Sequence, residues 1–349
     1  MGLRYMITRP FFILLLDFVM KRFVTFLFFS IGITVLSCCR QKDIIITSFP
    51  IEKSVPYSVY DTYDIIDPAA IAISGKYLFL LGMRSDPVFQ QYELPNLNYV
   101  KSFGRRGRGP GEFSYPPCMY ISVNQNKIYI CRSHEKIFTT YVISENGDLL
   151  IENEFTVNAG MLFNQFHIIN DSLLIYNLVP RIGIEKIDLL RNENSNIINF
   201  TKNRDFLENN SFHPDYGTLS VNNQYIVYAY KYRKQIDVYD IENFKLKARV
   251  LAKGHKEKIM TTEQSKGYYY DVYATDNFIY AYYVDPDSDD KKNKYYVEVF
   301  DYMGTPVKRL NIGISLGGLF AVTPNDSVLY SYSGLNDKIL MFEIMKNDF

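Results

Sequence analysis

Short strand-like runs recur in the same order about every 50 residues, and this recurrence leaves few folds open to the chain. The units start near residues 70, 119, 166, 218, 270 and 320. The first reads Ala70–Ser74, Tyr77–Gly82, Val88–Leu94 and Tyr99–Phe103, with turn residues between the runs. The fourth reads Thr218–Val221, Gln224–Tyr230, Gln235–Tyr239 and Lys245–Leu251. Beyond residue 60 there is no long helical periodicity, so the pattern predicts an all-β chain. The 30 Tyr and 25 Phe support this, because aromatic side chains pack well on a pleated surface.

A period near 50 with four strands per unit predicts a six-bladed β-propeller of four-stranded antiparallel blades. The first two strands of a unit are almost continuously apolar, as in Tyr77-Leu78-Phe79-Leu80-Leu81, which suits strands covered on both faces. The sixth unit (Phe320–Thr323, Ser327–Ser331, Ile339–Ile344) lacks a fourth strand, whereas Asp43–Phe49 is one strand too many before the first unit. Pairing the two closes the ring and removes open edges, so an N-terminal strand is expected to complete the last blade. The expected division is an export segment over 1–38, a tether with the ring-closing strand over 39–60, and the propeller over 61–349.

The N-terminus reads as an address. Met20-Lys21-Arg22 precedes an apolar stretch from Phe23 to Leu36 and then Ser37-Cys38-Cys39, the layout of a secretory signal. Val35-Leu36-Ser37-Cys38 resembles the lipobox of bacterial lipoproteins, which implies acylation of Cys38 and a membrane anchor. Pro10–Val19 is a second apolar run. Either translation starts at Met20, or one long helix crosses the membrane, broken by Asp17, Lys21 and Arg22. The lipoprotein reading places the protein in the bacterial cell envelope. No acidic run follows Cys39, which favours the periplasmic face of the outer membrane over the cell surface.

Gly104-Arg105-Arg106-Gly107-Arg108-Gly109-Pro110-Gly111-Glu112-Phe113, followed by Asn126–Ile130 and Glu145-Asn146-Gly147-Asp148, resembles the NHL-repeat and TolB-like six-bladed propeller lipoproteins. The likeness is sharp over about one blade, and Cys131-Arg132 stands where the repeat usually carries an acid. It implies fold more than function.

Charge is balanced at 38 basic and 38 acidic residues. Without the segment through Cys38, which holds Arg4, Arg9, Lys21, Arg22 and Asp17, the balance is 34 basic against 37 acidic. Such a chain lacks the positive field that phosphate backbones require, so nucleic acid is not an expected partner. Two candidate cofactor motifs fail: the Gly104–Gly111 loop lacks the P-loop ending, and Asp285–Asp290 lacks the EF-hand glycine and glutamate. His134, His167, His213 and His255 fall in separate units, and a metal bound at the ring axis by several blades stays open. Cys118 and Cys131 are expected on one face but diagonal, at the edge of disulfide reach.

In a propeller the loops between second and third strands gather around one mouth of the central channel. In the first four units those loops carry Arg84, Arg132, Arg181 and Arg233, with His134 and Tyr232 beside two of them. Arg105, Arg106 and Arg108 sit in a between-blade loop that should reach the same face. Together they suggest an anion-binding mouth for an acidic saccharide, a peptide or an envelope protein. Loop arginines are also common without function. The expected function is a lipid-anchored binding module without cofactor, and the other reading is a metal-dependent propeller hydrolase or lyase.

Overall fold

The computed structural model describes residues 42–63, 65–109, 112–113, 121–124, 126–132, 136–157, 162–179, 183–199, 215–253, 267–285, 294–334 and 337–345. The propeller occupies the compact unit Asp43–Phe349. Six sheets form it, each antiparallel through its blade strands. Blade 1 holds β4 (Pro68–Ser74), β5 (Tyr77–Gly82), β6 (Phe89–Glu93) and β7 (Asn98–Phe103). Blade 2 holds β8 (Ile121–Asn124), β9 (Lys127–Arg132), β10 (Ile137–Ile143) and β11 (Leu149–Thr156). Blade 3 holds β12 (Leu162–Ile169), β13 (Leu173–Val179), β14 (Gly183–Asp188) and β15 (Glu193–Asn199). Blade 4 holds β16 (Gly217–Val221), β17 (Tyr225–Tyr230), β18 (Gln235–Asp240) and β19 (Leu246–Ala252). Blade 5 holds β20 (Tyr269–Ala274), β21 (Ile279–Asp285), β22 (Lys294–Phe300) and β23 (Pro306–Asn311). Blade 6 holds β24 (Phe320–Val322), β25 (Val328–Ser333) and β26 (Lys338–Glu343).

The first strands of the blades stand side by side around the axis. Each of β4, β8, β12, β16, β20 and β24 touches the next, and β24 returns to β4. An apolar cluster fills each junction between neighbouring blades. Tyr77, Phe79 and Leu81 of β5 pack towards blade 2, whereas Leu78 and Leu80 pack towards blade 6. Alternate side chains of one strand thus serve two junctions, which is why the strand reads as an unbroken apolar run. With no Trp in the chain, tyrosine and phenylalanine supply the bulk in these layers.

The ring is closed by an N-terminal strand that completes blade 6, as expected, but Asp43–Phe49 is not that strand. The closing strand is β3 (Tyr57–Asp61), antiparallel to β26 with Tyr60 opposite Ile339 and Ser58 opposite Met341. Only six residues, 62–67, separate it from β4, so it is delivered straight into the neighbouring blade. Four of its five residues are exposed, so it is held mainly through its backbone, with Tyr60 packed on the blade 6–1 cluster and Tyr57 against Phe342. The apolar run supplies β1 (Lys42–Ile46), which lies outside β19 as a fifth strand of blade 4 and buries Ile46 at the blade 4–5 junction. Between them, β2 (Glu52–Ser54) pairs in parallel with β23 as a fifth strand of blade 5. The segment therefore runs along the rims of blades 4, 5 and 6 in turn.

Two blades bury an ion pair between their third and fourth strands. In blade 4 the inaccessible Asp237 faces Arg249, with Nε–Oδ1 at 2.8 Å and Nη2–Oδ2 at 2.9 Å. In blade 5 the inaccessible Glu298 faces Arg309 at 2.8 Å, with Lys234 Nζ at 2.7 Å and the Tyr269 hydroxyl at 2.8 Å. Cys131 is buried, and Cys118 lies outside the described residues. No helix among the described residues is long and apolar enough to cross a membrane.

Candidate functional site

The loops between second and third strands do meet the between-blade connections. Arg106, in the β7–β8 connection, donates from Nε to the Ser85 carbonyl at 2.7 Å and from Nη2 to the Met83 carbonyl, both in the β5–β6 loop. In blade 4 the Lys231 N–H donates to the Tyr216 carbonyl at 2.8 Å, and the Tyr268 N–H donates to the Lys231 carbonyl at 2.7 Å. The two loop sets share one face, which is the mouth of the channel.

At this face the three described arginines of the loops between second and third strands, Arg84, Arg132 and Arg233, are each matched by a carboxylate. Exposed Arg84 lies 3.4 Å from Asp67. Arg132, the last residue of β9, is buried with Nη2 3.1 Å from Glu154, which also accepts the Thr139 hydroxyl at 2.8 Å. Arg233 pairs with Asp215 and stacks over the Tyr230 ring at 4.1 Å. Buried Tyr232 shares the β17–β18 turn with Arg233. His134, Arg181 and Cys38 lie outside the described residues. The structure therefore brings Tyr232 and Arg233 together in one turn, with Arg84 and Arg132 at their own blades.

Behind the mouth lies a cavity of about 210 Å³, walled by the first strands of blades 1, 3, 4, 5 and 6. None of the described loop arginines lines it; among the described residues its only charged or imidazole side chains are Lys231, His167 and Asp271. The Lys231 ammonium lies among three tyrosine rings, 5.3 Å from Tyr270, 5.7 Å from Tyr216 and 5.8 Å from Tyr232. Desolvation holds its pKa below the ordinary lysine value. The rings favour the cation while the setting removes its water.

Deeper in the channel a chain of hydrogen bonds ends on Asp271. The Asn177 amide donates to Gln165 Oε1 at 3.2 Å, and Gln165 Nε2 donates to Thr218 Oγ1 at 2.9 Å. Thr218 then donates to Asp271 Oδ1 at 3.1 Å, and the Val272 N–H reaches the same oxygen at 2.9 Å. Burial pushes the Asp271 carboxyl up to about 7, against the pull of these donors and of the Phe320 N–H. His167, whose Nε2 is 3.3 Å from the Leu219 carbonyl, is pushed down to about 4 by burial. Asp271 thus combines a raised carboxyl with neutral donors in a polar cavity lined by the innermost strands.

Among the described residues no three or more His, Cys, Asp or Glu side chains group as metal ligands. Sequence reading passed over Gln165, Thr218 and Asp271. Their signal is positional: all three stand within about two residues of the unit starts, polar groups at the heads of otherwise apolar inner strands.

No curated protein sequence matches the chain. Among solved structures, a Bacteroides fragilis protein superposes with a TM-score of 0.52 at 12% identity, over 86% of this chain and 98% of that one. A member of the DUF4221 family from Bacteroides vulgatus gives 0.52 at 13% identity, over 82% and 97%. The RRP9 WD40 repeats give 0.51 at 7% identity, over 85% and 99%. At such identities the likeness concerns the fold. The model of the TolB-like six-blade propeller family matches residues 48–320, most of the described ring, and the chain belongs to that family.

Proposed function

We propose that this protein is an exported, lipid-anchored binding propeller of the cell envelope that takes an acidic saccharide or an acidic peptide at the channel mouth. The observation that carries the reading is Lys231. Among the described residues it has no carboxylate within ion-pair distance, and it stands at the entrance of the cavity inside a cage of tyrosines. A ligand carboxylate there meets a half-desolvated ammonium, and the rings offer stacking surface to a sugar or peptide plane. Arg84, Arg132 and Arg233, with Tyr232 beside them, form the outer rim, to which His134 and Arg181 belong by their sequence position. Their charges are paired, so they shape the rim rather than attract an acid at long range.

Anchoring rests on the signal-like segment and Cys38. The expected outcome is that the protein fractionates with membranes and that Cys38→Ser releases it; a Cys38→Ser chain that stays membrane-bound argues for a spanning helix instead.

The binding reading is tested by thermal unfolding in the presence of uronic-acid oligosaccharides and acidic peptides, with a chelator control. A ligand present at about a hundred times its dissociation constant stabilises by about 2.7 kcal/mol, enough to move the midpoint visibly. Lys231→Met should abolish that shift, and Arg84→Ala with Arg233→Ala should only reduce it. A shift that survives Lys231→Met moves the site elsewhere. Loss of stability on chelation alone points to a metal centre.

A further inference from the structure

We infer that the ligand of this channel is a zwitterion, carrying an ammonium for Asp271 at the deep end as well as an acid for Lys231 at the mouth. The inference rests on the mouth reading and extends it to the charge pattern of the whole cavity. Three observations support it.

Among the described residues the cavity wall holds one carboxylate, Asp271, and one ammonium, Lys231. Lys231 is fixed at the level of Tyr268, whose N–H it accepts. Asp271 lies three residues further along the chain, on the innermost strand β20. Among the described residues neither charge is ion-paired with the other or with another group of opposite sign. Among the described residues every group bonded to Asp271 is a neutral donor: the Thr218 hydroxyl and the backbone N–H groups of Val272 and Phe320.

The relay through Gln165 and Thr218 also points one way, with each donor aimed towards Asp271. It therefore orients the carboxylate without supplying charge. A buried carboxylate left without a counter-cation costs stability, and such a cost is kept where a ligand removes it. An amine arriving from the mouth would supply the missing cation in a water-poor site. The ligand's own carboxylate would remain at Lys231.

Among the described residues, the other titratable groups of the cavity wall are His167 from β12, Lys231 from the β17–β18 turn, and Tyr216, Tyr269, Tyr270 and Tyr273; β4 and β24 contribute none that titrates. Tyr273 is pushed up to about 12 by burial and by the Asp271 charge, so it stays neutral. In the empty protein the raised Asp271 favours the folded state fully below about pH 4, and that contribution is lost as pH rises through about 7. The depressed His167 has the opposite sign: its contribution is full above about pH 6.5 and lost as pH falls to about 4.

The test titrates the full-length, detergent-solubilised chain with ω-amino carboxylates of increasing length. Carboxylates and amines of matched length serve as controls, and binding is measured by calorimetry at about pH 6 and about pH 8. At least one amino carboxylate should bind about tenfold or more tightly than its matched carboxylate, with the advantage larger at the higher pH. Asp271→Asn should erase that advantage and leave carboxylate binding intact. Without ligand, the same variant should unfold at a higher temperature than the parent at about pH 8 and close to it at about pH 5, which also shows that it folds. Equal binding of carboxylate and amino carboxylate overturns the zwitterion reading and leaves the mouth reading standing. Binding of neither, or carboxylate binding that survives Lys231→Met, overturns the mouth reading and the zwitterion with it.

Discussion

Asp237→Ala should destabilise the propeller by about 3 kcal/mol, lowering the thermal midpoint by roughly 5–10 °C without touching the channel. Asp237 is inaccessible to solvent and accepts five hydrogen bonds. Two come from the Arg249 fork, and the others come from Gln235 Nε2 at 2.9 Å and the hydroxyls of Tyr230 at 3.0 Å and Tyr239 at 3.2 Å. Removing the carboxylate leaves a guanidinium, an amide and two hydroxyls with their common acceptor gone. Arg249 is about a third exposed and can recover some hydration, which keeps the loss at the low end for a broken buried pair. Asp237→Asn keeps the shape and one acceptor oxygen and should cost less. Equilibrium denaturation of both variants decides the matter: a loss below about 1 kcal/mol for the alanine would show that the buried pair contributes little.

The second large effect concerns ring closure. A chain starting at residue 50 loses β1 but keeps β2 and β3, and should fold with a modest drop in midpoint. A chain starting at residue 63 loses the whole rim segment. β3 gives five register pairs to β26, together with the Tyr57–Phe342 ring contact at 5.5 Å and the Thr62 hydroxyl bond to the Asp337 carbonyl at 2.9 Å. At about 1 kcal/mol for each net backbone bond, its loss costs about 5 kcal/mol and leaves β26 as an open edge. The shorter chain should therefore unfold without cooperativity or associate, as read by calorimetry and light scattering. Two truncations of equal stability would mean that blade 6 needs no fourth strand.

Much of the architecture was legible because each blade repeats one pattern, and Tyr77–Leu81 shows the reason. A strand clamped between two neighbours must be apolar at successive positions, and that mark survives in the sequence. The closing strand was not legible, because Tyr57–Asp61 is mostly exposed and its place is set by backbone pairing and by a short connection to β4. The eye goes instead to the isoleucines of 44–46, which belong to the rim of blade 4.

At the site, the convergence of loops on one face follows from topology and could be foreseen. The compensation of the arginines could not. Asp67, Glu154 and Asp215 lie about twenty residues from their partners and are brought back by the turns. Asp271 escaped notice for a different reason: one acid among the tyrosines of 268–273 carries no motif, and only placing it on the innermost strand gives it meaning.

The rim segment also sets how the protein bears mechanical load. Tension applied from the N-terminal side reaches β1 first, at blade 4, then β2, at blade 5, and only then β3. The two outer strands can peel in sequence while the blades beneath keep their four strands, so each release lengthens the leash and relaxes the pull before it reaches the closure. Like a rope given two turns round a post, the segment spends force on expendable contacts and spares the one joint whose failure opens the ring.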